Sequence, residues 1–429
     1  MFEAGLKRRT LLGALTMLPW LAGLPARARG SQARVLVVGG GFAGATAARH
    51  LKLADPSLDV ILLEPRKQFH TCPFSNYVIG GLRSLASISR SYHSLVRDLK
   101  INHLQAWVED IDPLARQVRL ANGRQLNYDR LVLTPGIDMR WNAVEGYDQV
   151  ASQQIAHAWQ AGAQTELLRR QLAAMDDGGL FLISVPDNPY RCAPGPYERA
   201  SLVAHYLQTH KPKSKLLILD GKDSFSKQAL FQEGWKQRYG EMVEWVGRAG
   251  DGRVQRVDVR RREVETEFGS RHRAAVINLI PPQKAGLIAE RAGLTDASGW
   301  VPVDPRTFQA RANPDIYVAG DASIAAPMPK SAYCAHAQAK VVVAALLADL
   351  AGVAPAEPHW RNTCYSALAP GAAVSIAANY QVADGVIIEQ PGSLLLSPLA
   401  AADALRAQEA AESEAWYNAI CADAWGLPA

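Results

Sequence analysis

The stretch Arg34-Val-Leu-Val-Val-Gly-Gly-Gly-Phe-Ala-Gly44 decides the fold of this 429-residue chain. Its first five residues form an apolar run typical of a buried parallel strand. The glycines then follow in the spacing G-x-G-x-x-G, at Gly39, Gly41 and Gly44. An alanine-rich helical pattern continues to about Leu53. This order of strand, glycines and helix predicts the start of a dinucleotide-binding βαβ unit.

The glycines and the next strand each have a physical role in such a unit. Gly39 allows the tight turn, Gly41 lets the backbone approach a pyrophosphate, and Gly44 allows close packing of helix and strand. A second apolar strand over residues 60–63 ends on Glu64, twenty residues after Gly44, where a carboxylate can bind a ribose hydroxyl. A glycine-rich turn in an unrelated α/β fold is the alternative.

Two later segments favour FAD as the dinucleotide. Residues 131–136 form an apolar strand that ends in Thr134, Pro135 and Gly136, and residues 316–321 form another that ends in Gly320 and Asp321. Together with the first fingerprint they match the three-motif pattern of flavoproteins with two dinucleotide-binding domains. Alone, Asp321 would read as a helix N-cap or a turn residue.

A second nucleotide domain is expected between these segments, and residues 180–185 supply a candidate strand. No G-x-G-x-x-G follows it. The next residues include four prolines and Cys192, and the prolines lack the backbone N–H groups that would bind a phosphate. The sequence therefore predicts a nicotinamide-type domain that has lost its nicotinamide site.

The N-terminus predicts export. Lys7-Arg8-Arg9 precedes an apolar stretch over residues 11–24, which is too short to span a bilayer, and residues 25–28 resemble an A-x-A cleavage site. The paired arginines favour a twin-arginine signal peptide over residues 1–30 and a periplasmic location. A disordered basic tail is the alternative.

Charge and composition exclude some functions. Residues 1–30 hold five basic residues and one acid, so +4 of the net charge of +5 lies there and +1 remains for the rest. The sequence shows no aromatic-basic pattern of a nucleic-acid-binding protein and suggests no metal site. Five cysteines lie beyond residue 30, an odd number for an oxidising compartment.

The cysteine-containing segments, residues 69–76 (FHTCPFSN), 191–201 (RCAPGPYERAS) and 362–366 (NTCYS), resemble the flavoprotein subunit of flavocytochrome c sulfide dehydrogenase. The family is related to sulfide:quinone oxidoreductases. The resemblance extends over nearly the whole chain after residue 30, and includes residues 277–282 (INLIPP), 327–331 (PMPKS) and 416–418 (WYN).

The resemblance implies a role for three cysteines. Cys72 matches the cysteine that carries FAD through a thioether, although Pro73 stands where the family is expected to have an aromatic residue. A buried unreactive cysteine is the alternative. Cys192 and Cys364, 172 positions apart, match the redox-active disulfide. A purely structural disulfide is the alternative. A helix starting near Pro196 is expected to favour the Cys192 thiolate.

The resemblance also implies roles for an acid and a lysine. Glu198 matches a candidate proton-transfer group, with a surface glutamate near a helix start as the alternative. Lys330 matches a lysine near the flavin that would stabilise its reduced anion, with an exposed lysine as the alternative. Cys334 departs from the family, Cys421 has no clear family role, and whether these two pair is left open.

The predicted fold class is α/β, with two Rossmann-like dinucleotide-binding domains and a C-terminal domain. The FAD domain is placed at residues 33–155 and 277–350, the degenerate nicotinamide-type domain at 156–276, and the C-terminal domain at 351–429. The C-terminal domain would supply Cys364 to the site.

The expected function is periplasmic oxidation of hydrosulfide through the disulfide and FAD to a c-type cytochrome. No C-x-x-C-H occurs in the chain, so the haem is expected on a partner subunit, with Trp416 and Tyr417 among the contacting residues. The acidic, alanine-rich segment 396–424 argues against membrane anchoring. A sulfide:quinone oxidoreductase and a flavin-bearing thiol–disulfide accessory protein are the alternatives. The sulfur product is left open.

Overall fold

A computed structural model describes residues 32–427 of the chain. The predicted signal peptide, residues 1–30, lies outside the described residues. In chain order the helices are α1 (Phe42–Ala54), α2 (Ser75–Ile79), α3 (His93–Leu99), α4 (Ala163–Ala174), α5 (Gly195–His210), α6 (Gln228–Tyr239), α7 (Leu287–Arg291), α8 (Ala332–Ala351) and α9 (Asp403–Trp425).

The strands of the first half are β1 (Arg34–Val38), β2 (Asp59–Leu63), β3 (Gln68–His70), β4 (Ser89–Ser91), β5 (Asn102–Leu104), β6 (Val108–Asp112), β7 (Gln117–Leu120), β8 (Gln125–Asn127), β9 (Arg130–Leu133), β10 (Ile137–Met139), β11 (Leu180–Val185) and β12 (Lys215–Asp220). Those of the second half are β13 (Val243–Val246), β14 (Val254–Asp258), β15 (Glu263–Thr266), β16 (Arg271–Arg273), β17 (Val276–Leu279), β18 (Gln283–Ala285), β19 (Val301–Pro302), β20 (Gln309–Ala310), β21 (Asn313–Val318), β22 (Ser323–Ile324), β23 (His359–Ala369), β24 (Ala372–Ala383), β25 (Val386–Glu389) and β26 (Leu395–Leu396).

The first sheet has six strands in the order β20-β21-β9-β1-β2-β5. Strand β1 is apolar and buried, and its parallel register pairs Val38 with Leu63 on β2 and with Leu133 on β9. Leu133 in turn pairs with Val318 on β21. The carboxyl ends of these four strands therefore lie at one edge, which is where open α/β sheets bind ligands. The three predicted nucleotide motifs all begin at this edge.

The second sheet is parallel, with the order β13-β12-β11-β17. Strand β11 coincides with the predicted strand, and the loop of residues 186–194 leads into α5. Strand β17 pairs with β11 and buries all four of its residues. The second sheet therefore extends to Leu279, past the boundary predicted after residue 276, because the chain completes this buried strand before it returns to the first domain.

The third sheet, in the C-terminal region, is antiparallel. The long strands β23 and β24 pair from Trp360 with Tyr380 to Ala369 with Ala372, and β24 also pairs with β25 and β26. Strand β23 packs against α5 and α8, and α9 packs across β24 and α1. This packing brings the C-terminal region against both nucleotide-type domains.

One helix of the described part of the chain, α8, is long and apolar enough to cross a bilayer, with a mean hydropathy of 1.4. In the fold, 56% of that apolar segment is buried inside the protein, and α8 packs against α1. Helix α9 also packs on the body of the protein, through the buried residues Tyr417, Ile420, Ala424 and Trp425.

Candidate active site

The glycine fingerprint forms a tight cradle at the end of β1. Gly39 has φ +95°, and a Cβ there would come 2.4 Å from the carbonyl oxygen of Thr134. A Cβ on Gly44 would come 1.8 Å from the carbonyl oxygen of Gly39. Helix α1 begins after Gly41 without a side-chain cap, so its first N–H groups are available to an anion. The backbone geometry fits the roles predicted for Gly39 and Gly44.

Glu64 lies beside this cradle and is almost fully buried. Its carboxylate accepts hydrogen bonds from the Gly40 N–H at 3.0 Å and from Arg66 Nε at 2.7 Å. The hydroxyl of Thr134 donates to the carbonyl of Val38 at 2.9 Å, which joins the end of β9 to the end of β1. A glycine cradle, an uncapped helix start and a carboxylate at the end of β2 together fit a dinucleotide.

Asp321 and Lys330 lie at the same edge, after β21. The N-cap of α8 is Ser331, whose hydroxyl accepts from the Cys334 N–H, so Asp321 is not the cap of that helix. Lys330 Nζ donates to the carbonyls of Asp321 and Ser323 and lies 3.9 Å from the centre of the Trp300 ring. Burial lowers the pKa of Lys330 to about 8. Lys330 is therefore a half-buried lysine at the predicted cofactor edge, and its role towards a flavin stays a prediction.

Three cysteines from distant parts of the chain line one cavity of about 110 Å³. Cys72 comes from the loop before α2, Cys192 from the loop before α5, and Cys364 from β23. All five cysteines of the chain are free thiols in this structure, so the Cys192–Cys364 disulfide is not formed and stays a prediction. The fold nevertheless brings together the three cysteines to which the sequence assigned chemistry.

Cys192 is held in an unusual position at the start of α5. Its φ of +60° lies in the left-handed region that few residues other than glycine adopt. Its N–H donates to the Lys330 carbonyl at 2.8 Å, and its Sγ lies so close to Gly195 that a Cβ there would approach the sulfur to 2.9 Å. The absence of a side chain at Gly195 therefore sets where this sulfur can lie.

The expectation that the start of α5 would favour the Cys192 thiolate is not met. Burial raises the pKa of Cys192 well above its usual range, and the neighbouring Cys364 and Glu198 raise it further, while Arg191 acts in the opposite direction. Loss of hydration disfavours the charged form of a thiol, and it is the largest cause of the raised pKa of Cys192.

Cys364 has a different environment, because a lysine lies next to its sulfur. Lys227 Nζ is 3.8 Å from Cys364 Sγ and donates to the Cys364 carbonyl at 3.0 Å and to the Ser366 hydroxyl at 2.8 Å. Cys364 and Ser366 are two positions apart on β23, so their side chains point to the same face of the sheet. The sulfurs of Cys192 and Cys364 therefore differ in the charge beside them.

Glu198 lies in the first turn of α5, half-buried among the residues that line the cavity. One carboxylate oxygen accepts from the Ala367 N–H of β23 at 3.0 Å, and the other accepts from Asn76 Nδ2 at 2.7 Å. Burial raises the pKa of Glu198, although these hydrogen bonds oppose the shift. Glu198 is thus a carboxyl group of the cavity and not a solvated surface residue.

Arg199 is a buried cation next to Glu198. Its guanidinium donates to Asn76 Oδ1, Asn278 Oδ1 and the carbonyls of His157 and Ala158, and lies 4.9 Å from the centre of the Trp159 ring. Its hydrogen-bond acceptors in the described part of the chain are all uncharged. Arg199 therefore brings net positive charge to the cavity.

Aromatic and charged side chains surround the carboxyl end of β12 in the second domain. Asp220, at the end of β12, occupies the place that Glu64 has after β2. Its carboxylate accepts from the Tyr197 hydroxyl at 2.6 Å, from Lys222 Nζ at 2.6 Å and from Trp245 Nε1 at 3.0 Å. Phe225 stacks on Tyr197 at 3.6 Å. These contacts engage the carboxylate of Asp220 within the protein, and the loss of the nicotinamide site stays a prediction.

Three sequence-based expectations of the C-terminal region meet different outcomes. Tyr417 is 1% exposed and its hydroxyl hydrogen-bonds to that of Thr71 at 2.7 Å, so it cannot contact a partner as expected. Trp416 lines the cavity. Cys334 lies against Asn362, whereas Cys421 lies near Tyr417 and Arg90, so these two cysteines have separate environments.

Some residues of the site were not predicted from sequence. Asn76 and Arg199 belong to segments already noted for their cysteine or their glutamate, so their proximity to reactive groups was a usable signal. Lys227 had no such signal. It lies 137 positions before Cys364 and reaches it only because α6 packs beside β23.

Comparison with protein-family models matches three parts of the chain. Residues 33–173 match "Pyridine nucleotide-disulphide oxidoreductase". Residues 165–281 match "Sulfide dehydrogenase (flavocytochrome c) flavoprotein chain, central", and residues 356–425 match "Flavocytochrome c sulphide dehydrogenase, flavin-binding".

Similar proteins agree with these matches. The sulfide dehydrogenase (flavocytochrome c) flavoprotein chain of Chlorobaculum thiosulfatiphilum is 60% identical over 45 residues, which is 10% of this chain and 94% of that sequence. The mitochondrial sulfide:quinone oxidoreductase of Mus musculus is 24% identical over 322 residues, 72% of this chain and 69% of its own length. The solved sulfide:quinone oxidoreductase of Aquifex aeolicus has the same fold, with a TM-score of 0.73 at 17% identity over 92% of this chain and 93% of that one.

Proposed function

The chain belongs to the flavoprotein family of flavocytochrome c sulfide dehydrogenases and the related sulfide:quinone oxidoreductases, and we propose that it is a FAD-dependent enzyme that oxidises sulfide. The observation that carries the proposal is the single cavity lined by Cys72, Cys192 and Cys364. In the proposed enzyme, Cys72 binds the cofactor, and Cys192 and Cys364 form the disulfide that reacts with substrate.

The residues at the edge of the first sheet hold the cofactor. The N–H groups at the start of α1 bind the pyrophosphate of FAD, Glu64 binds a ribose, and Asp321 binds the region of the ribityl chain. When bound, FAD accepts two electrons and can give them up one at a time. We further propose that Cys72 links the cofactor covalently, so that acid precipitation leaves the flavin on the polypeptide. Release of all the flavin into the supernatant would contradict the link.

The substrate step uses the two remaining cysteines of the cavity. Hydrosulfide attacks one sulfur of the Cys192–Cys364 disulfide, the S–S bond breaks, and the other sulfur leaves as a thiolate with the bonding electron pair. The attacked cysteine becomes a persulfide and keeps the proton of hydrosulfide. The incoming sulfur is oxidised as the disulfide is reduced. A further thiol or hydrosulfide then removes the outer sulfur of the persulfide.

The charges around the cavity favour an anionic substrate. Arg199 and Lys227 bring two cations, and Arg191 brings a third that lies 3.6 Å from the carboxylate of Asp321. Glu198 is the carboxyl group that lines the cavity, and burial raises its pKa. A cavity lined mainly by one sign of charge concentrates ions of the opposite sign. Hydrosulfide should therefore be bound in preference to neutral hydrogen sulfide, and Glu198 can exchange a proton with the reacting sulfurs.

The electron acceptor and the location complete the proposal. We propose a c-type cytochrome subunit in the periplasm, because the N-terminus predicts export and the chain lacks a haem-attachment motif. The burial of α9 on the body of the protein supports function without membrane anchoring. Reduction of a quinone is the second candidate, because the long matches are to proteins named sulfide:quinone oxidoreductases. Co-purification of haem with flavin supports the first acceptor, and turnover with quinone but not with cytochrome c supports the second.

Anaerobic titration with sulfide, followed by flavin absorbance, tests the central reaction. The wild-type protein should be reduced by sulfide. Cys192→Ser and Cys364→Ser should retain FAD and lose sulfide-dependent reduction by orders of magnitude, while Cys421→Ser, a buried cysteine outside the cavity, serves as the control. Near-normal reduction of either cavity variant would contradict the proposed role of the disulfide.

A further inference from the structure

Lys227 is a buried cation that lies next to a cysteine of the cavity and has no role in the cofactor site. It is 6% exposed and adopts φ +63° immediately before α6. Its Nζ donates to the Cys364 carbonyl and to the Ser366 hydroxyl, which hold it 3.8 Å from Cys364 Sγ. Within residues 32–427 it forms no ion pair with a carboxylate. Lys227 acts electrostatically on Glu198 and opposes the rise of its pKa, but the two groups form no ion pair. A buried ammonium with no carboxylate in contact is stabilised by an anion that forms beside it.

We propose that Lys227 is a catalytic residue that stabilises the thiolate of Cys364, and so makes Cys364 the leaving sulfur when hydrosulfide opens the disulfide. The inference rests on the proposed function. Hydrosulfide attacks Cys192 Sγ and the S–S bond breaks. The bonding electron pair leaves on Cys364 Sγ, where the ammonium balances the new charge. The persulfide forms on Cys192 and carries the proton of hydrosulfide.

The other charged and titratable groups around Cys364 do not supply this balance. From the start of α5, Glu198 and Cys192 face it, and from α8 Cys334 faces it; each would add negative charge or none. Of the other cations that line the cavity, Arg191 lies 3.6 Å from the carboxylate of Asp321, and the guanidinium of Arg199 donates to Asn76, Asn278 and two backbone carbonyls. Lys227 is thus the cation in contact with the Cys364 sulfur, and Cys192, beside Glu198, has the less favourable position for a thiolate.

The pH dependence of alkylation tests the inference without requiring turnover. In the reduced holoprotein, iodoacetamide labelling of the Cys364 peptide is followed by mass spectrometry as a function of pH. In Lys227→Met the midpoint should rise by about one pH unit or more, because removing an opposite charge at hydrogen-bond distance shifts a pKa by this order. Lys227→Arg keeps the positive charge, so its midpoint should stay at that of the wild type. An unchanged midpoint in folded Lys227→Met would overturn the inference.

A matched control separates charge from burial. Lys211 is also buried, and its Nζ donates to the carbonyls of Ala173 and Met175, away from the cysteines. Lys211→Met should leave the Cys364 midpoint unchanged, and a shift equal to that of Lys227→Met would overturn the inference. If Lys227→Met does not fold, Lys227→Gln replaces it, since glutamine keeps a donor and removes the charge.

A second measurement identifies the leaving sulfur. Oxidised holoprotein receives one equivalent of sulfide and is quenched at once with iodoacetamide. The masses of the Cys192 and Cys364 peptides are then measured by mass spectrometry. The extra sulfur should be on Cys192 in the wild type, and on both peptides in Lys227→Met. Extra sulfur on Cys364 of the wild type would overturn the inference. Lack of sulfide reduction together with a shifted alkylation midpoint would instead reject the proposed function.

Discussion

Replacing Asp423 should loosen the C-terminal helix from the rest of the protein. Near the end of α9, its carboxylate accepts from His336 Nε2 at 2.6 Å, from Lys340 Nζ at 2.8 Å and from His50 Nε2 at 3.1 Å. The first two donors lie on α8 and the third lies on α1. These contacts join three helices that are distant in sequence.

The structure sets the size of the effect. In Asp423→Asn, an amide N–H₂ replaces the oxygen that accepts from His336 and Lys340. A hydrogen bond to a charged group contributes about 1.5–3 kcal/mol, and the His336 bond is well shielded, because that ring is 11% exposed. The Lys340 side chain is 36% exposed, which reduces its contribution to about 0.5–1 kcal/mol. The expected loss is therefore about 2–4 kcal/mol in the free energy of unfolding.

The effect should depend on pH in a definite direction. Burial would raise the pKa of Asp423, but the hydrogen bonds from His336, His50 and Lys340 outweigh it and hold the pKa well below the ordinary value of 3.8. The carboxylate therefore stabilises the fold above pH 3.8, and this contribution is lost as the pH falls towards the folded-state pKa. The difference between the wild type and Asp423→Asn should be full near neutral pH and should shrink in acid.

Urea unfolding followed by tryptophan fluorescence measures this difference, and limited proteolysis reports whether α9 opens first. The control is Asp403→Asn at the first residue of the same helix, where the side chain is 95% exposed and its Arg238 contact is 3.4 Å long. This control should leave the unfolding midpoint unchanged. A loss below about 0.5 kcal/mol in Asp423→Asn, or an equal loss in the control, would refute the reasoning.

Three further predictions concern the cavity and the second domain. Gly195→Ala should keep the fold, since alanine favours a helix, but the new Cβ would press on Cys192 Sγ and on the Trp159 ring, both at 2.9 Å. We expect the rate of sulfide-dependent flavin reduction to fall by about tenfold or more, measured by stopped flow. Glu198→Gln should slow that reduction by about 10²-fold and remove a step from its pH profile that lies above the ordinary glutamate pKa of 4.5; a profile that keeps the step would exclude Glu198 as its source. NADH and NADPH should not reduce the flavin, because Asp220 is bound by its own neighbours, and rapid bleaching by either nucleotide would contradict the loss of that site.

The nucleotide edge of the first domain could be predicted from sequence because its determinants are local. The strand pattern of residues 34–38, the positive φ at Gly39 and the close approach at Gly44 are properties of one short segment. Thr134 and Asp321 each follow an apolar strand of the same kind. Once such strands pair in parallel, their carboxyl ends meet at one edge whatever else the chain does.

The pairing of reactive residues could be predicted only by resemblance, because it is non-local. Cys192 and Cys364 lie 172 positions apart, and no spacing within the sequence brings a loop before α5 to the middle of β23. Packing of β23 against α5 does so. Packing of α9 on the body of the protein buries Tyr417 against Thr71 and Phe74, although the sequence placed it at a partner surface.

The sequence by itself therefore determined the dinucleotide fold and indicated the candidate cofactor residues, and the family resemblance gave the expected roles of the cysteines. The tertiary structure decided the environment of each reactive group. It placed Lys227 beside the sulfur of Cys364 and Glu198 near that of Cys192. It also buried Cys192 deeply enough to reverse the expected direction of its pKa shift. The physical reason is that hydration and charge act over a few ångströms in space, and the neighbours at that distance are set by packing and not by order along the chain.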